Sequence, residues 1–276
     1  MKADLAAQAD RRLALSQSML DNLSMAADLD MVCESGTHAV GLYRLMVEKT
    51  GAEETVRLLR ERGLGVTSIH LGLKVMETDD EQADHALRAG LHLAASVGAP
   101  VAPVSPGTSG ALSTRQADEV YIQRLARVAP LARELGVTMA IEPLHPFLHA
   151  IGYIHTIRHA ARITEQVENC GIILDAAHVY WDGDLEEDIR QHCAKLALVQ
   201  LANLDPQALA ERRWGRALLD KGVVPITEIV RMIDAAGYRG AYESEILLEL
   251  PHDECIAAAR ASREWFENVW NDPQQR

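Results

Sequence analysis

Four oxygen-donor side chains stand at the ends of four apolar runs in the second half of the chain. Glu142 follows 137–141, Asp175 follows 171–174, Gln200 lies next to the end of 196–201, and Glu245 lies next to the end of 240–246. Each run has the length and composition of a strand buried on both faces, as in a parallel sheet. Residues two apart on a strand face the same side. Ala140 and Glu142 share a parity, as do Ile173 and Asp175, Leu198 and Gln200, and Glu243 and Glu245. If the strands close on themselves, the four donors converge on one rim. Three carboxylates and an amide oxygen around one point suit Mg²⁺ or Mn²⁺ better than zinc. One such acid alone is better read as a capped turn or a surface ion pair. Four donors at equivalent positions on successive strands are not. His178 follows Asp175 by three residues, and the carboxyl end of a buried strand is where α/β proteins bind ligands.

Strand and helix patterns alternate along the whole chain. Strands are expected over 13–17, 39–43, 66–71, 100–104, 137–142, 171–175, 196–201 and 240–246. Helices are expected over 24–34, 51–62, 81–97, 115–135, 157–167, 184–195, 226–236 and 253–270. Ser24 and Asp184 are placed as N-caps, and Gly63, Gly98, Gly136 and Gly237 each close a helix. An irregular loop occupies 143–147. A longer insertion after the seventh strand carries Asn203, Asp205, Arg212, Arg213 and Arg216. Eight strand–helix units joined by short turns predict an α/β fold, a (β/α)8 barrel, with 1–276 as a single domain. The alternative, a doubly wound open sheet, calls for a glycine-rich phosphate loop after the first strand. Ser16-Gln17-Ser18-Met19 is no such loop.

The 276 residues are ample for one large core, and 48% apolar with 24% charged residues is ordinary for a globular chain. The formal net charge of −13 opposes binding to phosphodiester backbones and anionic membranes. Cys33, Cys170, Cys193 and Cys255 are far apart and include no CxxC pair, so neither a zinc knuckle nor a disulfide framework is expected. The first residues have no apolar core of signal-peptide length, and no run reaches membrane-spanning length. A reducing cytoplasm is the expected compartment. The expected partner is a small-molecule substrate, with no nucleic acid, no membrane, and self-association into a homo-oligomer left open.

Three stretches carry a resemblance that covers nearly the whole chain. They are Ile141-Glu142-Pro143-Leu144-His145-Pro146, Leu174-Asp175-Ala-Ala-His178-Val-Tyr-Trp181, and Gly237-Tyr238-Arg239-Gly240-Ala-Tyr-Glu243-Ser-Glu245-Ile246. In this order and spacing the chain resembles the xylose-isomerase-like TIM barrels of the sugar-phosphate isomerase and epimerase superfamily. The resemblance implies one divalent ion held by two glutamates, an aspartate and a histidine. Glu142, Asp175 and Glu245 match three of those places. The histidine of the seventh-strand Val-His-x-x-Asp motif is replaced, because the segment here reads Val199-Gln200-Leu-Ala-Asn203. Gln200 can ligate a hard cation through its oxygen but lacks the affinity of imidazole for transition metals. The resemblance also makes Glu142 and Glu245 an acid/base pair. They would move a proton beside a carbonyl through an enediolate whose charge the cation stabilises. Arg216 matches the arginine that contacts substrate, and Asp220-Lys221-Gly222 is an imperfect match to the Gly-Asp-Gly beside it.

His145, His178, His70 and Trp181 are further candidates for the pocket wall, each weighed against a structural role. His149, His155 and His159 read as loop or solvated helix residues. Glu243 reads either as support beneath Glu245 or as half of a core ion pair. The leading expectation is a metal-dependent isomerase or epimerase of a small sugar, polyol-derived ketone or hydroxy-keto acid. A dehydratase or other lyase on the same metal site is the alternative. A non-catalytic ligand-binding barrel is a weaker one. An apurinic-site endonuclease would need more rim histidines and a basic groove.

Overall fold

A computed structural model describes residues 12–20, 24–246 and 252–269. Eight parallel strands form the sheet: β1 (Leu13–Ser16), β2 (Ala39–Tyr43), β3 (Gly65–His70), β4 (Val101–Pro103), β5 (Thr138–Ile141), β6 (Cys170–Asp175), β7 (Leu196–Leu201) and, after a small two-stranded insert, β10 (Tyr242–Ser244). The insert is the antiparallel pair β8 (Asn203–Leu204) and β9 (Arg216–Ala217). The ladder runs β3-β2-β1-β10-β7-β6-β5-β4, so the termini of the fold meet where β1 pairs with β10. Strands β3 and β4 pack side by side and bring the barrel almost to closure.

The one unladdered seam has a local cause. Thr138 N donates to Pro100 O and Val104 N donates to Ala140 O, so residues of that parity in β4 face β5. Val101 and Pro103 therefore face β3, and a proline has no N–H to offer there.

The helices are α1 (Met25–Ser35), α2 (Arg44–Thr50), α3 (Ala52–Arg62), α4 (Asp80–Ser96), α5 (Thr114–Glu134), α6 (Ile157–Thr164), α7 (Ala176–Val179), α8 (Leu185–His192), α9 (Pro206–Ala210), α10 (Ile226–Ala235) and α11 (His252–Val269). Ser24 caps α1 as expected, its Oγ accepting from Ala27 N at 3.2 Å. Asp184 occupies the N-cap position of α8 as expected, but its side chain does not bond the helix end. Its carbonyl accepts from Asp188 N at 2.9 Å, while its Oδ2 lies 2.9 Å from Arg158 Nη2. The strong guanidinium partner takes the carboxylate that the helix end would otherwise hold. Helix α2 is not expected from the sequence. It leaves β2 directly, with Tyr43 as a cap residue that makes no side-chain bond, so no start signal announces it.

Residues of the predicted parity do point inward. Val101, Ala140, Ile173 and Leu198 form an apolar cluster of their own, separate from the core between sheet and helices. This is one layer of the barrel interior. Toward the carboxyl ends the interior becomes polar. Glu243 Oε1 accepts from Thr67 Oγ1 at 2.6 Å and Ser68 Oγ at 2.7 Å, and its Oε2 accepts from Gln200 Nε2 at 3.2 Å. Gly41 leaves the room for that carboxylate, since a Cβ there would stand 2.5 Å from Glu243 Oε1. Glu243 is thus a hydrogen-bonded support inside the barrel, not half of an arginine ion pair.

Candidate active site

Asp175 is the last residue of β6 and also the N-cap of α7, where its Oδ1 accepts from Ala177 N at 2.8 Å. That single helical turn puts His178 on the same side as Asp175. His178 Nε2 lies 3.4 Å from Asp175 Oδ2 and 3.5 Å from Glu142 Oε1, one residue beyond β5. One ligand atom from each of Glu142, Asp175 and His178 fits within 4.8 Å of the other two. Glu245, just beyond β10, donates its backbone N–H to Leu201 O and accepts from Ser18 Oγ at 3.4 Å. Gln200 is in register with Asp175 on one side and Glu243 on the other. Its Nε2 is bound to Glu243, and its Oε1 is buried without a hydrogen-bond partner among the described residues.

Arg216 reaches this group from the insert. It sits opposite Leu204 in the β8–β9 pair and is buried, with Nη2 2.9 Å from Asp175 Oδ2. Asn203 fixes the insert: Nδ2 donates to Leu219 O, and Oδ1 accepts from Val224 N. Gly222 is required beneath it, because a Cβ would lie 2.0 Å from Asn203 Oδ1. Arg216 Nε and Nη1 and His178 Nδ1 are buried without partners among the described residues.

Three acids and one guanidinium are buried close together, and their ionisation reflects it. Burial, then the charges of Glu245 and Asp175, push Glu142 well above the ordinary carboxylate range. Burial, less the help of Arg216, pushes Glu245 up to about 8. Burial alone would raise Asp175 too, but the Arg216 guanidinium, His178 and the Ala177 N–H together outweigh it and hold Asp175 low. Burial drives His178 down to about 4, leaving a neutral imidazole able to offer a lone pair. A surplus of buried acid, a neutral imidazole and an orphaned amide oxygen together fit a hard divalent cation.

A stability test follows. Glu142 and Glu245 have folded values above their unfolded ones, so the stability they contribute is full at low pH and lost as pH rises through the folded values. Without divalent cations, the melting temperature should fall between about pH 4.5 and about pH 8. With Mn²⁺ the fall should shrink, since the cation takes the place of the protons. Equal slopes in chelator and in Mn²⁺ would show that these acids do not share a cation.

The family model for xylose isomerase-like TIM barrels matches residues 29–269. The chain belongs to that family. Among solved structures, this xylose isomerase-like barrel is similar to a protein of Sinorhizobium meliloti 1021, at 27% identity and TM-score 0.84, over 92% of this chain and 98% of that one. It also shares its fold with the IolI protein solved with a bound zinc atom, at 14% identity and TM-score 0.80, over 94% and 99% of the two chains. A third is D-psicose 3-epimerase of Clostridium cellulolyticum H10 with D-tagatose, at 13% identity and TM-score 0.78, again over 94% and 99%. At 13–14% identity these last two show a shared barrel fold. No curated protein matches the sequence.

In this xylose isomerase-like barrel Glu142 and Glu245 open into a cavity of about 520 Å³ at the carboxyl ends of the strands. His70 lines it beside Tyr43, their rings 5.9 Å apart. Glu142, His178, Arg216 and Glu245 line it as well, while Gln200 lies beneath. His145 and Trp181 are not in its lining. His145 Nδ1 accepts from Phe147 N, and its ring packs among Tyr180, Trp181 and Trp214. Trp181 Nε1 donates to His178 O at 2.7 Å and so fixes the turn that carries that imidazole. His159 is buried against Asp118 at 2.9 Å, not solvated. Trp214 has no counterpart among the expected site residues. It stacks on the His178 ring at 5.2 Å and 22°, and the Arg216 guanidinium lies 5.4 Å from its centroid. Its place two residues before Arg216 was the available signal. A larger cavity of about 810 Å³ lies at the opposite end, lined by residues such as Thr138, Asn169 and Lys195, away from these acids.

Proposed function

We propose that this protein is a divalent-metal-dependent isomerase or epimerase of a small hydroxy-ketone. The observation that carries the reading is the placement of Glu142 and Glu245 in the lining of one cavity with His178 and Arg216, both of which contact the buried Asp175. Glu142, Asp175 and Glu245 would hold the ion, with the oxygen of Gln200 and the Nε2 of His178 as the further donors available to it. A cation there supplies Lewis-acid stabilisation of charge developing on substrate oxygens.

The remaining work falls to the chain. One glutamate, as carboxylate, takes a proton from the carbon beside the carbonyl. The other, once it carries a proton from solvent, returns one to the neighbouring carbon or to the opposite face. The Arg216 N–H groups without protein partners are available to the substrate oxygen that gains charge. Trp214 and Leu144 would give a bound substrate apolar walls. Cys33, Cys170 and Cys193 are free thiols, which supports a reducing compartment such as the cytoplasm. No described helix is long and apolar enough to cross a membrane.

The metal preference should follow from Gln200. An amide oxygen adds no charge and favours hard cations, so apo protein should bind Mg²⁺ and Mn²⁺ loosely in a calorimetric titration. Gln200→His should raise affinity for Zn²⁺ and Co²⁺ by about tenfold or more. Tight Zn²⁺ binding by the wild type, with no gain from the histidine, would take Gln200 out of the ligand set.

A further inference from the structure

An amide side chain can serve a cation from one end only. Its oxygen carries lone pairs, its NH₂ group only donates, and the two ends are nearly the same size. Gln200 therefore needs a neighbour that tells its ends apart, and Glu243 is that neighbour. The two residues pair across the ladder between β7 and β10, and both are buried. Glu243 Oε2 accepts from Gln200 Nε2 at 3.2 Å, while Gln200 Oε1 is buried without a hydrogen-bond partner among the described residues. Turned round, the amide would set its oxygen against an oxygen of Glu243. A buried amide oxygen with no partner costs stability unless a ligand takes it.

Glu243 is itself fixed by a local departure from regular pairing. Consecutive strand residues face opposite sides of a sheet. Thr67 Oγ1 and Ser68 Oγ nevertheless both donate to Glu243 Oε1, at 2.6 and 2.7 Å. The register between β2 and β3 runs from Val40 opposite Val66 to Gly41 opposite Ser68, so Thr67 is an extra residue in β3. A bulge of this kind re-aims side chains, and here it brings two hydroxyls to one oxygen. Gly41, at the same step of the register, leaves the space that a Cβ would take from the carboxylate. Strands β2, β3 and β7 thus converge on a carboxylate that is absent from the cavity lining and whose second oxygen is bonded to Gln200.

Resting on the metal-dependent reading proposed above, we infer that Glu243 is a positioning residue for the metal site: it holds the NH₂ end of Gln200 and so leaves the amide oxygen free for a hard cation. The assignment gives Glu243 no bond to the ion. It acts through Gln200, and the Thr67 and Ser68 hydroxyls act through Glu243.

The experiment is calorimetric titration of metal-free protein with Mn²⁺, beside a thermal melt of each variant in chelator to check that it is folded. Glu243→Gln keeps the shape of the side chain but lets position 243 donate as well as accept, so either end of Gln200 can face it. Mn²⁺ affinity should fall about tenfold or more. In a Gln200→Ala background the same change should cost about threefold or less, the part owed to charge alone. Thr67→Val combined with Ser68→Ala leaves every charge in place. That pair should lower Mn²⁺ affinity about threefold or more in the wild type and leave it unmoved in the Gln200→Ala background. If Glu243→Gln does not fold, the hydroxyl pair decides. Equal losses in the two backgrounds, or no loss in the wild type, would overturn the inference and leave the metal site standing. No Mn²⁺ binding by the wild type would overturn both. Coupled Mn²⁺ binding without proton exchange in D₂O would uphold the role of Glu243 and refute the isomerase reading.

Discussion

Glu142→Gln and Glu245→Gln should each lower turnover by about 10²-fold or more, because each removes a proton donor or acceptor at the reacting carbon. Neither change should cost stability. Glu142 is nearly enclosed, with 12% of its side chain exposed, and burial already pushes both acids toward their neutral forms. A neutral amide of the same shape avoids the cost of a buried charge, so at about pH 8 the metal-free variants should melt at or above the wild-type temperature. The comparison is steady-state turnover beside thermal melts of the same preparations. Unaltered turnover in either variant removes that glutamate from the acid/base pair. Lost turnover together with a collapsed melt would mean a structural role instead.

Arg216→Met should produce the largest loss of stability. Asp175 is fully buried, and Arg216 Nη2 at 2.9 Å is its cationic partner. Removing one member of a buried pair strands the other, at a cost of about 3–5 kcal/mol. Chemical denaturation of metal-free protein near neutral pH would read it. The double variant with Asp175→Asn should regain most of the loss, since no ionised group is then stranded. If the single and double variants unfold alike, the pair contributes little and Asp175 is stabilised by other contacts.

Much of this site was legible because strands end abruptly. An acid that closes an apolar run has one place to go, the rim, and period-two parity then places Glu142, Asp175 and Gln200 on the inside. Observed register agrees at Asp175, Gln200 and Glu243. The strand ends themselves shift, since β5 stops at Ile141 and β10 at Ser244, leaving Glu142 and Glu245 just past the ladder. Laddering depends on neighbours that one run does not reveal. His178 illustrates a different limit. Its spacing from Asp175 was plain, but its closeness to Glu142 depends on a four-residue helix too short for any periodicity. The β8–β9 pair, two residues per strand, is equally silent in sequence, so the positions of Trp214 and Arg216 come from the fold. The seam at Pro103 has a sequence cause, yet which side of β4 the missing N–H faces depends on the pairing with β5.

The most direct test of the central claim is hydrogen exchange between solvent and substrate. Purified protein with Mn²⁺ is incubated in D₂O with a panel of small ketoses and cyclic hydroxy-ketones, and products are followed by NMR and mass spectrometry. The predicted result is deuterium at the carbon beside the carbonyl, with isomer or epimer formed and no water lost, abolished by chelator and by Glu142→Gln. Loss of water from the substrate, or no deuterium uptake across the panel with metal bound, would contradict it.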